Sequence, residues 1–385
     1  MSCTIGAVSG HTLRDRMSSR ARSERIPLQA DIEIIATCNY KCVHCYIAPC
    51  ANREDVMSVD SAKAILRKLA DAGCLTVLLT GGEVFTHKNF REIYLAAKRM
   101  GFVIYVNTNG YLLGKKWADF FDEYPPKLVS ISLYGATSES YTRVTGIPNS
   151  YERCVRAIDL LLERGIPVDL KCPAMTITAD ELPIMQKFAA DRGITFRYDP
   201  MITPQRYGSS EPVRLQLAPK DVVALEKTMD PGLAMLKQFA STRVGVRPEQ
   251  KSVYQCGAGI VALAVNVFGE VSTCLSSRMP VGNLLTQSWD EVWGALGGKV
   301  ARKFPDGHPC ATCKFRAMCA GCPATVEQLT GLPEGYVQHY CKVTHLQAYE
   351  LGYHPTGVPR TVSEGIPAGV RTPDRGMLRA LPVIS

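Results

Sequence analysis

Hydrophobic and polar positions follow two alternating patterns along residues 31–200. Short runs rich in β-branched residues predict six strands, at 32–36, 76–79, 103–107, 128–133, 168–171 and 195–198. Between them, apolar residues recur at helical spacing near 59–72, 89–100, 115–123, 150–164 and 180–192, and most of these helices begin near a capping residue such as Ser58. A helix in every gap predicts parallel βαβ units, and so an α/β fold: a partial (β/α)6 TIM-like barrel, closed or nearly closed. Active sites of such sheets form at the carboxyl ends of the strands.

The rest of the chain departs from this rhythm and predicts four further regions. Residues 1–30 are expected to form an N-terminal arm, rich in arginine but without the apolar core of a secretory signal. Residues 201–250 predict a connector with one or two helices. Residues 251–345 predict a small cysteine-rich domain with a hairpin of strands 262–267 and 271–274. Residues 346–385, rich in proline and glycine, predict a flexible tail.

Composition narrows the class of protein. The chain has 46% hydrophobic and 21% charged residues, as globular proteins do, and no apolar run approaches the roughly 20 residues that span a bilayer. We therefore expect no membrane partner and a cytoplasmic location. The net charge of +8 favours acidic partners. It is not gathered into a run of lysine and arginine and no nucleic-acid motif accompanies it, so no nucleic-acid partner is predicted.

Cysteine is the informative residue type, with 15 in the chain. In a reducing compartment they are expected to be metal ligands, catalytic groups or core residues rather than disulfides. Cys38, Cys42 and Cys45 have the spacing C-x3-C-x2-C just after the first predicted strand. Each of three thiolates on one loop can bind one iron of a 4Fe–4S cube, which leaves the fourth iron open. A zinc site would usually need a fourth ligand, and His44 is poorly placed to supply it beside Cys45.

This loop resembles the motif of the radical S-adenosylmethionine (SAM) superfamily, in which an aromatic residue more often stands where His44 stands here. The resemblance implies that the cluster on the three cysteines binds SAM and cleaves it reductively to a 5′-deoxyadenosyl radical. Gly81, Gly82 and Glu83 follow the second predicted strand. They resemble the family's Gly-Gly-Glu turn, which meets the methionyl amino group of SAM.

Further resemblances concern SAM and the substrate. Asn107, Asn109 and Ser132, at the ends of strands three and four, resemble adenosine and ribose contacts. Arg143 resembles an arginine that meets the SAM carboxylate, with a surface salt bridge as the alternative. Lys171 is a weaker candidate for a SAM contact, and Cys50 lies too late for a ligand. Cys74 and Cys154 are expected to be core or surface thiols; the same is expected first of Cys172, with a position facing the substrate as the alternative.

A second group of cysteines occupies the C-terminal third, at Cys256, Cys274, Cys310, Cys313, Cys319, Cys322 and Cys341. Paired C-x2-C units alone would suit a zinc ribbon, but seven cysteines exceed one tetrahedral zinc and suit two clusters better. The pattern resembles the SPASM extension of radical SAM enzymes, which holds two auxiliary iron–sulfur clusters. The resemblance implies one set of ligands at Cys256, Cys274 and Cys322 and another at Cys310, Cys313, Cys319 and Cys341.

The first of these sets has only three cysteines. It could keep an open iron, recruit another ligand or hold a smaller cluster. The family usually has three residues before its sixth cysteine, whereas only two separate Cys319 from Cys322 here.

The leading hypothesis is a radical SAM maturase that crosslinks or oxidises a ribosomally made precursor peptide. The alternatives are radical oxidation or rearrangement of a small molecule, such as an aminosugar or tetrapyrrole precursor, and a zinc-bound scaffold or nucleic-acid-binding protein. A reducing partner such as flavodoxin or ferredoxin is implied. Because only about 30 residues precede the barrel, we expect leader recognition to need a separate leader-binding protein or another surface.

Overall fold

A computed structural model of the chain describes residues 10–47, 55–206, 209–241, 251–277 and 279–353. Six parallel strands pair in chain order, as predicted. They are β1 (Gln29–Ile35), β2 (Thr76–Gly81), β3 (Val103–Thr108), β4 (Leu128–Ser132), β5 (Val168–Pro173) and β6 (Thr195–Asp199).

Helices fill every gap between these strands, and the five predicted there are confirmed. Within the described residues the helices are α1 (Gly10–Glu24), α2 (Val59–Asp71), α3 (Phe90–Arg99), α4 (Lys115–Glu123), α5 (Ser138–Thr145), α6 (Ser150–Leu162), α7 (Leu182–Ala190), α8 (Pro219–Met229), α9 (Ala234–Ser241), α10 (Trp289–Val300), α11 (Pro323–Thr330) and α12 (Gln338–Glu350). Ser58 caps α2 by accepting a 3.0 Å hydrogen bond from the backbone N–H of Ser61. The sequence analysis missed α5, whose eight residues span little more than two turns.

Side chains of the parallel strands alternate between two faces of the sheet. On β1, Ala30, Ile32 and Ile34 are at most 2% exposed and belong to the main hydrophobic core, while Glu33 points to the opposite, inner face. Helices cover the first face, which explains why it is apolar. The inner face carries polar and charged residues on several strands.

The same alternation corrects the prediction that Cys172 could face the substrate. Cys172 is 2% exposed and packs in the main hydrophobic core, next to Leu170 on the outer face. Its neighbour Lys171 takes the inner position and lies opposite Ser132 of β4 and Arg197 of β6. Cys172 is therefore a core thiol, and the alternative that it faces the substrate is wrong, because one residue along a strand changes the face.

The barrel is partial, as predicted, and the sheet does not close. Strand β7 (Ala262–Val265) pairs in parallel with β1, and β8 (Glu270–Ser272) and β9 (Gly282–Asn283) continue the sheet as antiparallel strands. A strand has only two edges, and those of β1 are taken by β2 and β7. Strand β6 therefore remains at the open edge. The predicted hairpin, now β7 and β8, thus attaches the cysteine-rich region directly to the first strand.

Two regions at the ends contain more structure than expected. The predicted N-terminal arm includes α1 and the first residues of β1, and the predicted tail begins inside α12. Residues 1–9 and 354–385, together with Cys50, lie outside the described residues. Among the helices that the structure describes, none is both long and apolar enough to cross a membrane.

Candidate active site at the carboxyl end of the sheet

The loop that carries Cys38, Cys42 and Cys45 is fastened to the end of helix α5. Backbone N–H groups of Lys41 and Val43 each donate a 3.0 Å hydrogen bond to α5, the first to the carbonyl of Thr145 and the second to that of Val144. The last carbonyls of a helix have no partner within the helix, so they are free to accept these bonds. The stretch that contains Arg143 therefore has a structural use that the sequence did not reveal: it positions the cysteine loop.

The three thiols lie close enough to act on one another. Burial raises the pKa of Cys42 well above its usual value, and the neighbouring thiols of Cys45 and Cys38 raise it further. Burial likewise raises the pKa of Cys38 to about 12, followed by the effect of Glu83. Mutual repulsion and burial make three bare thiolates costly here, and a positively charged metal centre would relieve that cost.

Two ring side chains, His44 of the loop and Tyr134 after β4, lie beside each other with ring centroids 5.0 Å apart. Burial raises the pKa of the Cys42 thiol, and the Tyr134 hydroxyl has a lowering effect on it. Burial lowers the pKa of His44 to about 4, so the imidazole is neutral, and its Nδ1 finds no hydrogen-bond partner among the described residues. The sequence analysis did not assign a role to Tyr134. Its position two residues after β4 was the only available signal.

The Gly-Gly turn after β2 passes very close to the start of the cysteine loop. A Cβ on Gly81 would overlap the carbonyl oxygen of Ile35, and one on Gly82 would overlap that of Thr37. Gly81 also has a φ of 138°, which favours glycine. Both glycines are therefore required by contact with the chain that leads into the cysteines, whatever ligand the site holds.

Glu83 is buried, with 1% exposure, and links β2 to the end of β3. Its carboxylate accepts hydrogen bonds from Thr108 Oγ1 and the Asn109 N–H, both at 2.7 Å, and from the Phe85 N–H at 3.2 Å. Burial raises the pKa of Glu83 to about 7, and these donors limit the rise. Both carboxylate oxygens thus already have partners within the protein.

Asn109 carries this connection on to the cysteine loop. Its Nδ2 donates to Asn39 Oδ1 at 2.9 Å and lies 3.8 Å from Cys38 Sγ. A continuous set of hydrogen bonds therefore runs from Glu83 through Asn109 to the first cysteine of the motif. Such contacts fix the orientation of metal ligands.

The remaining residues predicted to contact SAM, on β3, β4, α5 and β5, differ in how deeply they are buried. Asn107 and Ser132 lie half-buried on the inner face, near the ends of β3 and β4. Arg143 is exposed, and no hydrogen bond or ion pair to it is found in the described part of the chain, so the alternative of a surface salt bridge finds no support. Burial lowers the pKa of Lys171 to about 8, against the opposing effect of Asp169.

The structure divides the seven C-terminal cysteines into two groups. Burial raises the pKa of Cys274 to about 11, and the nearby thiols of Cys322 and, more weakly, Cys256 raise it further. Burial raises the pKa of Cys310, and the nearby thiols of Cys319, Cys313 and Cys341 raise it further. The SPASM resemblance implies these two sets as the ligands of two clusters, and that ligation stays a prediction.

Polar groups near these cysteines can stabilise the negative charge of thiolates bound to metal. The N–H of Gly321 donates to Cys319 Sγ at 3.3 Å, and Tyr336 opposes the rise that burial causes in the pKa of Cys341. Cysteines 38, 42, 45, 256, 274, 310, 313, 319, 322 and 341 are free thiols, and each is at least partly exposed. In the described ranges, no set of three or more His, Cys, Asp and Glu is arranged around a single metal ion. A cubane differs from such a site because each thiolate binds its own iron.

Two family models match the chain. One, described as the radical SAM superfamily, matches residues 32–182. The other, SPASM, described as an iron–sulfur cluster-binding domain, matches residues 256–323. The first match includes the cysteine loop and all five parallel strands from β1 to β5. The second includes six of the seven C-terminal cysteines and ends before Cys341.

Curated relatives fall into two kinds. The chain is 27% identical over 323 residues to the antilisterial bacteriocin subtilosin biosynthesis protein AlbA of Bacillus subtilis, which covers 82% of this chain and 70% of that protein. It is 23% identical over 325 residues to an AdoMet-dependent heme synthase of Methanosarcina barkeri, which covers 78% of this chain and 92% of the relative.

Among solved structures, SuiB of Streptococcus suis has a similar fold. The TM-score is 0.65 at 16% sequence identity, and the alignment covers 86% of this chain and 83% of SuiB. SuiB has also been solved with S-adenosylmethionine and with its precursor peptide SuiA.

Proposed function

This chain is a radical SAM enzyme with a SPASM domain, and from that premise we propose that it modifies a ribosomally made precursor peptide by forming a crosslink or oxidising a side chain. Its cofactors are a SAM-binding 4Fe–4S cluster, auxiliary iron–sulfur clusters and SAM itself. The substrate class and the assignment of individual residues are the parts that we propose.

The observation that carries the proposal is the similarity to AlbA. It extends over 82% of this chain, and AlbA takes part in the biosynthesis of a bacteriocin. SPASM enzymes that mature peptides share this arrangement of one SAM-binding cluster and two auxiliary clusters. The fold of SuiB, which binds a precursor peptide, is compatible with the same use of the sheet.

We assign Cys38, Cys42 and Cys45 as ligands of the SAM-binding cluster. When bound, this cluster and SAM supply a 5′-deoxyadenosyl radical that abstracts a hydrogen atom from the substrate. The chain's own residues hold the site in place: α5 fastens the cysteine loop, and Asn109 orients its first residue. Tyr134 and His44 cover the thiols and limit the access of water, which protects a reactive site.

Glu83 is assigned a different role from the direct contact that the family resemblance implies. Its carboxylate is already held by Thr108, Asn109 and Phe85, so we propose that it chiefly fixes the loop after β3. A carboxylate oxygen has lone pairs beyond those used here and can still accept a bond from an ammonium group. Gly82 would let the backbone approach that group.

The remaining cysteines are assigned to two auxiliary clusters, one on Cys256, Cys274 and Cys322 and one on Cys310, Cys313, Cys319 and Cys341. We place the catalytic barrel at 31–200, the connector at 201–250 and the auxiliary domain at 251–345. The net charge of +8 favours an acidic electron donor such as flavodoxin or ferredoxin.

The test uses the full chain reconstituted with iron and sulfide without oxygen. We expect iron sufficient for three clusters, and 5′-deoxyadenosine after addition of SAM and dithionite. Co-expression with a short peptide encoded beside the gene should give a peptide that has lost two hydrogen atoms per crosslink, as measured by mass spectrometry. Cys42→Ala should abolish both products.

Cys74→Ala is the matched control, since Cys74 is a thiol that precedes β2, at the other end of the strand from the site. It should retain SAM cleavage. Cleavage by Cys42→Ala at the wild-type rate, or zinc in place of iron, would contradict the assignment of the first cysteines.

A second candidate is radical chemistry on a tetrapyrrole precursor. It is favoured by the heme synthase relative, of which this chain covers 92%. The two candidates differ in the molecule that binds. If the second is right, a porphyrin precursor should change the visible absorption on binding and be consumed with SAM, and the peptide should stay unmodified. Turnover of the porphyrin with an unmodified peptide would favour this second function.

A further inference from the structure

Arg206 forms a buried ion pair with Glu33 inside the sheet. Its two terminal nitrogens each contact one carboxylate oxygen of Glu33 at 2.6 Å, and the side chains are 13% and 4% exposed. Such a two-pronged pair holds a guanidinium in a fixed plane. The two residues are 173 positions apart, and Arg206 lies in the connector, so no motif pointed to it.

Arg206 also contacts two loops that carry cysteines, one ending after Cys45 and one continuing after Cys274. Its backbone N–H donates a 2.7 Å hydrogen bond to the carbonyl of Tyr46, the residue after Cys45, and its guanidinium lies 5.6 Å from the Tyr46 ring. A guanidinium nitrogen also donates, at 3.3 Å, to the carbonyl of Leu275, the residue after Cys274. One residue therefore joins three places: its guanidinium binds Glu33 of the first strand and the Leu275 carbonyl, and its backbone N–H binds the end of the SAM-cluster loop at Tyr46.

We propose that Arg206, paired with Glu33, is a positioning residue that fixes the Cys45 and Cys274 loops relative to each other and balances the charge between their two clusters. The inference rests on the proposed assignment of these cysteines as cluster ligands. It gives the connector a function, since the connector supplies the only arginine seen to bridge both loops within the described residues.

If the pair balances charge, removing either partner should shift the reduction potentials of the clusters, in opposite directions for the two partners. Glu33→Gln would leave the positive charge of Arg206 without its partner, which should raise the reduction potentials of both nearby clusters. Arg206→Gln would leave the negative charge of Glu33, which should lower both potentials. Each variant breaks the same pair, so a purely structural role would move the potentials in the same direction or not at all.

The experiment has two readouts on the full chain. Redox titrations of the reconstituted protein, followed by electron paramagnetic resonance without SAM, measure the potentials of the clusters. Alkylation of the cluster-free protein with iodoacetamide, followed by mass spectrometry, measures how often each thiol is exposed. We expect alkylation of Cys45 and Cys274 to rise about tenfold in both variants, because a charge-assisted hydrogen bond contributes roughly 1.4 kcal/mol or more. Alkylation of Cys319 should not change.

Arg192→Gln is the control, since it breaks the pair between Asp159 of α6 and Arg192 in the turn after α7, away from both loops. Arg206→Lys keeps the charge but loses the two-pronged geometry, so it should raise alkylation without lowering the potentials. Potentials that move in the same direction in Glu33→Gln and Arg206→Gln, or no further than in Arg192→Gln, would overturn the proposal. Failure of the wild type to bind iron would instead overturn the cluster assignment, while alkylation of the cluster-free protein would still test the coupling of the loops.

Discussion

The buried carboxylate of Glu83 offers the sharpest test of the site. Its pKa is raised from 4.5 to about 7, chiefly by burial. Glu83→Gln keeps the shape of the side chain and removes the charge. The amide also places an N–H group where Asn109, Thr108 or Phe85 now donates, so at least one buried donor loses its acceptor. That loss costs roughly 1–3 kcal/mol and does not depend on pH.

The pH-dependent part can be worked out from the pKa. A carboxyl whose pKa is higher in the folded state favours folding most at pH values below 4.5, and this contribution is lost as the pH rises through about 7. The rise in pKa corresponds to about 3 kcal/mol. The free energy of unfolding of the wild type, relative to Glu83→Gln, should therefore fall by about that amount between these two pH values.

The assay is urea unfolding of the cluster-free, reduced chain at a series of pH values. Other titrating groups are present in both proteins and cancel in the difference. Infrared spectroscopy should show a protonated carboxyl band in the wild type below pH ~7, absent from Glu83→Gln. A difference in unfolding free energy that does not change with pH would refute the reasoning, because it would mean that the hydrogen bonds fully offset the burial of the charge.

Three further predictions concern other parts of the site. Cys313→Ala should leave SAM cleavage without substrate largely intact but impair formation of the modified product; normal turnover would remove the second auxiliary cluster from the mechanism. Gly81→Ala should destabilise the fold by at least ~2 kcal/mol in urea unfolding, because its Cβ overlaps the carbonyl of Ile35 at a φ of 138°; an unchanged unfolding midpoint would argue against this close approach. Tyr134→Phe removes a hydroxyl that favours the Cys42 thiolate and should lower the potential of the SAM-binding cluster, measured by redox titration, with iron content unchanged as the control.

The sequence predicted the order and type of the main elements well. Strands β1 to β5 and the five predicted helices bury apolar residues at regular spacing, and such periodicity is visible locally. The pattern missed α5 and left open the alternative that Cys172 faces the substrate. A helix of eight residues gives too short a pattern to recognise, and the end of a strand cannot be read closely enough to decide which face a given residue takes.

The kind of cofactor can be predicted from local spacing alone: Cys38, Cys42 and Cys45 and the C-terminal cysteines indicate iron–sulfur clusters, because ligands on one loop must be close in sequence. How these ligands are held in place depends on the packing of the whole fold. The partners of the loop come from distant parts of the chain, as Arg206 reaches Glu33 and α5 supports the cysteine loop. Contacts of this kind depend on how the strands and helices pack, and packing leaves no trace in local residue spacing.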